Sequence, residues 1–281
     1  MNQTGKKETV LICCLTTEVM KVVEPAKFYD ATRVHIISNP SLDENDPSAE
    51  FYNTFLKEAV RRIESSGKTE IKTHYANILD YQEMLRTVIR IVAEENNEHG
   101  DFVDIYINIS SGTPEYIAGA MLASMQNEKL IAFSVKTKTR SSSLDQMMAA
   151  YTVNGKPVGR TLEVYDPTMI TTFGAETPDD KLVVCLGILK ALNENQRYPS
   201  FNEVIEALKE QNIWDYTPEV KKTRTDDQQK ERMFYRRNFI DRMLENGWIV
   251  EDHIKRNRYV LTKKGEAVIK VYQKESPVLI D

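Results

Sequence analysis

Apolar residues along the first 165 positions fall alternately into short unbroken runs and into helically spaced stretches. Glu8 to Leu15 is a continuous apolar run after a polar start, the pattern of a strand buried on both faces. Arg33 to Ser38, Thr69 to Tyr75, Phe102 to Ile109 and Lys129 to Lys138 read as four more strands. Leu162 to Val164 is a further edge strand, reached through a Ser/Gly-rich loop. Helical spacing separates them. Val19 to Thr32 contains Pro25, which predicts a helix that starts or kinks there. Ser48 to Glu64 places Phe51, Phe55, Ala59 and Ile63 on one stripe. Tyr81 to Glu95 carries Met84, Leu85, Val88, Ile89 and Val92 as core positions and is expected to end before Asn96-Asn97. Strands alternating with helices predict an α/β fold, a doubly wound and mostly parallel Rossmann-like sheet.

The pattern changes beyond residue 165. Asp166 to Asp180 holds Pro, Gly and Thr with little periodicity. This places a linker at 166–179 between a sheet domain at 1–165 and a second domain at 180–281. Asp180 to Asn193 is an apolar helix. Ser200 caps a second, Phe201 to Gln211, with Glu203 completing a capping box. A long helix from Asp226 to Asn246 stops at Gly247. Trp248 to Glu251 and Arg258 to Leu261 are two short strands around a polar, basic tip, and Thr262 caps a last helix, Glu266 to Gln273. Three helices, a hairpin and a final helix predict a C-terminal winged helix-turn-helix domain.

Composition changes this picture in one respect. Apolar residues are 41% and charged residues 28% of the 281, ordinary values for a globular protein. No apolar run is long enough to span a membrane, and the polar start MNQTGKKETV does not read as a secretory signal, so the chain is expected to be cytoplasmic. Cys13, Cys14 and Cys185 lack metal-ligand spacing and read as buried thiols. His35, alone in an apolar run, reads as a satisfied core or edge histidine. The net charge is −5, yet Lys221 to Lys264 holds thirteen basic and seven acidic residues. A basic segment on an acidic body suggests one face for a polyanion. The basic residues coincide with both elements by which a winged helix touches DNA. Lys221, Lys222, Arg224, Lys230, Arg232, Arg236 and Arg237 lead into or occupy the third helix; Lys255, Arg256 and Arg258 sit at the wing. The competing reading is a protein-interaction winged helix with a solvated basic face.

The stretch with the most chemistry is Asp104 to Ala123. An apolar strand turns into Ser110-Ser111-Gly112-Thr113, and a helix of small residues follows. Pro114 suits the first helical position and Thr113 the N-cap. Backbone N–H groups and hydroxyls would converge there on a phosphate or other anion. The plainer reading is a turn between a core strand and a core helix. Neither common nucleotide-loop spacing is present. Thr16-Thr17-Glu18 holds the equivalent place after the first strand, at the edge where open parallel sheets bind ligands.

These two polar loops on a doubly wound domain, joined to a winged helix, resemble the CARF-domain transcriptional regulators. The resemblance covers nearly the whole chain by architecture, with motif support in the two loops and the wing pattern. It implies a homodimer whose loops line a pocket on the two-fold axis. It implies cyclic oligoadenylate as ligand, cyclic tetra-adenylate foremost, in a type III CRISPR-Cas context. No cofactor or metal and no membrane is expected, and double-stranded DNA is the other partner. The implied ligand residues are Thr16, Thr17, Glu18, Asn39, Ser110, Ser111, Gly112, Thr113, Pro114 and Tyr116. Glu18 and Glu115 depart from an anion site; they would repel phosphate or bind ribose hydroxyls.

No Arg-x4-6-His nuclease motif accompanies His35, His74, His99 or His253 in the C-terminal part, and no catalytic residue is assigned. Two alternatives stay open: slow, metal-independent cleavage of the ring in the sheet domain, and an α/β sensor of another nucleotide or metabolite.

Overall fold

The computed structural model describes the chain except residues 1–6, 40–46, 66, 68, 160, 162, 164–172, 174–175, 195–198, 218–223, 253–257 and 275–281. Five strands form one sheet: β1 (Glu8–Cys14), β2 (Arg33–Ser38), β3 (Glu70–Tyr75), β4 (Val103–Asn108) and β5 (Leu130–Phe133). Their order is β3-β2-β1-β4-β5, and all pairs are parallel. The sheet turns one way from β1 through β2 to β3 and the other way from β1 to β4 and β5. The switch point lies between the carboxyl ends of β1 and β4.

β1 is buried on both faces, as its unbroken apolar run requires. Leu11, Cys13 and Leu15 pack with α1 (Val19–Phe28) and α2 (Pro47–Glu64); Val10, Ile12 and Cys14 pack with α3 (Tyr81–His99) and α4 (Pro114–Gln126). Burial pushes the Cys13, Cys14 and Cys185 thiols up, Cys14 and Cys185 to about 12, so all three stay protonated and inert.

Several expected boundaries move. α1 runs unbroken from Val19 with Pro25 inside it. The buried face of α2 is Leu56, Ala59 and Ile63, while Phe51 is 51% exposed. A stripe spaced by four residues drifts by about 40° per step on a 3.6-residue helix, so Phe51 and Ile63 point in different directions. α3 continues past Asn96-Asn97 to His99 and stops at Gly100, whose φ of 60° supplies the left-handed turn. β5 is four residues instead of ten. The loop after it contains a short helix, α5 (Leu144–Ala150), and a minimal hairpin, β6 (Thr152–Val153) with β7 (Lys156–Pro157). The edge strand expected at 162–164 falls largely outside the described residues.

The C-terminal region contains α6 (Asp180–Glu194), α7 (Phe201–Glu210), α8 (Arg224–Tyr235), a π-helical turn at Arg236–Ile240, α9 (Asp241–Glu245), a hairpin of β8 (Ile249–Glu251) and β9 (Tyr259–Leu261), and α10 (Lys263–Tyr272). The Ser200–Glu203 capping box and the Thr262 cap form as the sequence predicts. The expected single helix from 226 to 246 is interrupted by the π turn. There the side-chain amide of Asn238 donates to the Phe234 carbonyl at 3.0 Å, occupying an acceptor that a wider turn disturbs.

α10 packs against both α6 and α3. Lys270 pairs with Asp80 at 2.6 Å, and Tyr272 hydrogen-bonds Gln126 at 3.1 Å. Phe173 meets Tyr272 edge-on, 5.5 Å between ring centres, and stacks on Tyr81. One apolar core therefore runs from the α3/α4 face of the sheet into the C-terminal helices.

Candidate functional site

The loops after β1 and β4 meet at the switch point and are tied together by a residue between them. Asn108, fully buried at the end of β4, donates its side-chain amide to the Lys21 carbonyl at 2.7 Å. In a regular helix that carbonyl would receive the N–H of residue 25, which is a proline without one. Asn108 Oδ1 accepts from both the backbone N–H (2.9 Å) and the hydroxyl of Ser110. The Asn108 carbonyl accepts from the Tyr116 hydroxyl at 3.0 Å. Nothing in the strand pattern distinguishes Asn108 beyond its being polar in an apolar run.

The second loop then turns through Gly112, at φ 95°. A Cβ there would lie 2.7 Å from the Cys14 Cβ and 2.8 Å from the Tyr116 ring, so the turn closes only with glycine. Thr113 caps α4, its hydroxyl accepting from Tyr116 N–H at 3.3 Å and donating to the Ile78 carbonyl in the loop after β3. Pro114 takes the first helical position. Gly119 lets α4 approach α3, where a Cβ would come 3.0 Å from the Leu85 backbone nitrogen.

The expected ligand residues divide by exposure. Thr16, Thr17, Asn39, Ser110 and Gly112 are half-buried, and Glu18 and Pro114 are exposed. Ser111 and Thr113 are 4% and 9% exposed, and Tyr116 is fully buried beneath the loop, where its side chain supports the turn. Two helix N-termini converge here. α1 begins at Glu18 without a side-chain cap, and α4 begins at Thr113. Val19 N–H and Lys21 N–H already donate to the Thr17 and Glu18 carbonyls, and Tyr116 N–H to Thr113; the two helix dipoles still favour negative charge. The hydroxyls of Ser38, at the end of β2, and Ser111 are buried with no hydrogen-bond partner among the described residues. Glu115 Oε2, in the first turn of α4, is buried and unpartnered too; buried polar atoms are normally paired, so these orphans at one sheet edge mark a place that expects a polar ligand.

A second polar cluster lies toward the amino end of β2. Arg33 donates to Glu95 (2.7 Å) and contacts Glu70 (2.8 Å), Glu98 (3.2 Å) and His99 (3.1 Å). His35 is buried, 2.9 Å from Glu95 and 2.8 Å from His74, which bears out its reading as a satisfied core residue. Glu95, Glu98 and His99 hold ligand atoms within 4.8 Å of one another, but the Arg33 guanidinium already supplies the cation. Burial would raise the Glu95 pKa; the hydrogen bonds from His35 and Arg33 outweigh it and hold Glu95 at about 2. Burial, then the neighbouring His35, lowers His74 to about 4.

In the C-terminal region, arginines from separate elements converge. Arg232 and Arg236 of the third helical run and Arg258 beside β9 line a surface pocket of about 500 Å³, with Ser200 and Asn202 at the start of α7. Arg232 Nε donates to Asn202 at 2.9 Å, Arg236 stands 3.7 Å from Asp241, and Arg258 donates to the Pro199 carbonyl. Arg237 is exposed and Lys230 half-buried. Lys221, Lys222, Lys255 and Arg256, and the side chain of Arg224, lie outside the described residues. No helix among the described residues is long and apolar enough to cross a membrane.

Residues 9–140 match the protein family described as HFX_2341_N:-like, N-terminal. An uncharacterized protein of Methanocaldococcus jannaschii, MJ1513, is 26% identical over 133 residues, 46% of this chain and 38% of that one. The match thus spans little more than a third of that relative. Two solved structures are similar. One is Csm6 of Enterococcus italicus bound to cyclic hexa-2'-fluoro-hexa-dAMP, with a TM-score of 0.38 and 14% identity, over 47% of this chain and 34% of that one. The other is Can2 from Sulfobacillus thermosulfidooxidans in complex with cyclic tetra-adenylate, with a TM-score of 0.33 and 13% identity, over 94% and 63%.

Proposed function

We propose that the chain is a ligand-controlled DNA-binding regulator of a type III CRISPR-Cas system. The sheet domain takes cyclic oligoadenylate, cyclic tetra-adenylate foremost, on the two-fold axis of a homodimer. The C-terminal region is a winged helix-turn-helix that holds duplex DNA. The observation that carries the reading is the switch-point edge, where two helix N-termini meet the unpartnered buried hydroxyls of Ser38 and Ser111. Such an edge suits phosphate oxygens and sugar hydroxyls together. The architectural resemblance to the CARF regulators supplies the ligand class.

A ring with two-fold symmetry on a two-fold axis meets the same loops from each subunit and biases the angle between them. The C-terminal regions, docked through α10, follow that angle and change their spacing against DNA half-sites. Arg232, Arg236, Arg237 and Arg258 supply the phosphate contacts. The effect on DNA affinity is limited to the ring's preference for one arrangement, typically about 1–3 kcal/mol.

The test is fluorescence anisotropy on a labelled duplex from upstream of the protein's own gene, with and without cyclic tetra-adenylate. A shift in the DNA midpoint of about five-fold or more supports regulation. Identical curves at saturating ring contradict it. Linear products on chromatography after long incubation would move the sheet domain to the ring-cleaving reading.

A further inference from the structure

The switch-point loops offer hydroxyls and N–H groups but little positive charge. Glu18 and Glu115 add two carboxylates, and the nearby Lys21 lies 3.9 Å from Glu18. Two helix dipoles, each worth roughly half a charge, do not offset those carboxylates and several phosphates together.

The missing charge stands just beyond the neighbouring strand. The Phe133 carbonyl, at the end of β5, accepts from Ile109 N–H at 2.9 Å, so the chain leaves β5 directly beside Ser110. The next residues include Lys136, Lys138 and Arg140, all exposed and without a hydrogen bond or ion pair among the described residues. At about 3.3–3.6 Å per residue, Lys136 stands within roughly 7 Å of Ser134, and a lysine stem covers about as much again. The chain bends at Lys138 and Thr139, and the three cations fall within five residues of one another. The segment then enters α5, a helix with a complete capping box and no buried residue. The segment can therefore shift over the loops without opening the core.

We propose that Lys136, Lys138 and Arg140 form the cationic wall of the ligand site and neutralise the phosphates of an oligoanionic nucleotide seated on the loops after β1 and β4. The inference rests on the reading of those loops given above. It places the counter-charge for the phosphates at residues 136–140, while Thr16, Thr17, Ser38 and Ser111 meet phosphate oxygens and sugar hydroxyls from the loop side. It also gives Glu18 and Glu115 a place at ribose hydroxyls, away from the charged wall.

The test is calorimetric titration of the full chain with cyclic tetra-adenylate at low and high salt. The wild type is compared with Lys136→Ala/Lys138→Ala/Arg140→Ala and with Lys136→Arg/Lys138→Arg/Arg140→Lys. The alanine variant is expected to bind about tenfold more weakly or worse at low salt, with the gap narrowing as salt screens the pairs. The charge-conserving variant is expected to bind within about two-fold of wild type. Circular dichroism and melting of the alanine variant should be unchanged, because the three side chains are exposed and bond to none of the described residues. Equal affinity of wild type and alanine variant overturns the wall while leaving the ligand reading intact. A wild type that binds no ring overturns both.

Discussion

The side-chain amide of Asn108 donates to the main-chain carbonyl of Lys21 across 2.7 Å and fills the gap that Pro25 opens in α1. The same side chain holds Ser110, and its own carbonyl holds Tyr116. One buried residue therefore holds the second loop and ties it to the first turn of α1. Asn108→Ala leaves the Lys21 carbonyl and the Ser110 N–H without partners. The expected loss is about 2–3 kcal/mol, read as a fall in the urea midpoint, together with weaker ligand binding. Unchanged stability would mean that the loops are held by something else.

Gly112→Ala tests the second loop alone. The new Cβ meets Cys14 at 2.7 Å, in a backbone region that L side chains rarely adopt. A destabilisation of about 1–3 kcal/mol is expected in chemical denaturation. An alanine variant as stable as wild type would show that the turn relaxes freely.

The His35–His74–Glu95 cluster, with His74 half-buried, makes stability depend on pH in a defined direction. His74 binds its proton near 6.5 in the unfolded chain and near 4 in the folded one. Stability is full above 6.5 and is lost as pH falls toward 4. Glu95 shifts from 4.5 to about 2, so its contribution is lost between those values. Urea midpoints should fall in two overlapping steps on acidification. His74→Gln should flatten the upper step, and equal slopes for wild type and variant between pH 6.5 and 4 would contradict the assignment.

The loop after β3 touches both functional regions. The Ile78 carbonyl accepts from Thr113, and Asp80 caps α3 while pairing with Lys270 of α10 at 2.6 Å. The Lys270 pair holds the Asp80 carboxyl low against its partial burial. Lys270→Ala is expected to bind the ring as wild type does but to transmit less of it, seen as a smaller ring-induced change in DNA midpoint. A full-sized change in the variant would rule out this ion pair as the link.

Arg236→Ala and Arg237→Ala remove exposed cations from the third helical run. Each should weaken duplex binding and lower the slope of log affinity against log salt by about one for each phosphate the arginine neutralises. Ring binding should stay unchanged. Unaltered DNA affinity in both would remove that helix from the interface.

Much of the fold is legible in the chain. The five strands, the Thr113 cap with Pro114 behind it, the Ser200–Glu203 box and the final hairpin all rest on local chemistry, which a sequence displays directly. The unreadable parts depend on distant partners. Asn108 looks like a flaw in a strand until Pro25 is seen across from it. Asn96 and Asn97 look like a stop, yet the helix continues because Glu95 and His99, one turn apart, both face Arg33. The apolar stripe of α2 predicts Phe51 inside, but the buried positions of that helix lie in its second half. Lys136 and Lys138 read as the end of a ten-residue strand until β5 is found to stop at Phe133, beside β4.

The central claim is that the switch-point edge binds a cyclic oligoadenylate shared by two chains. Isothermal calorimetry with cyclic tri-, tetra- and hexa-adenylate tests it most directly. Saturable binding of one ring, at one molecule per two chains, is the predicted result. No heat with any of the three, at concentrations where the protein is folded, would contradict the account.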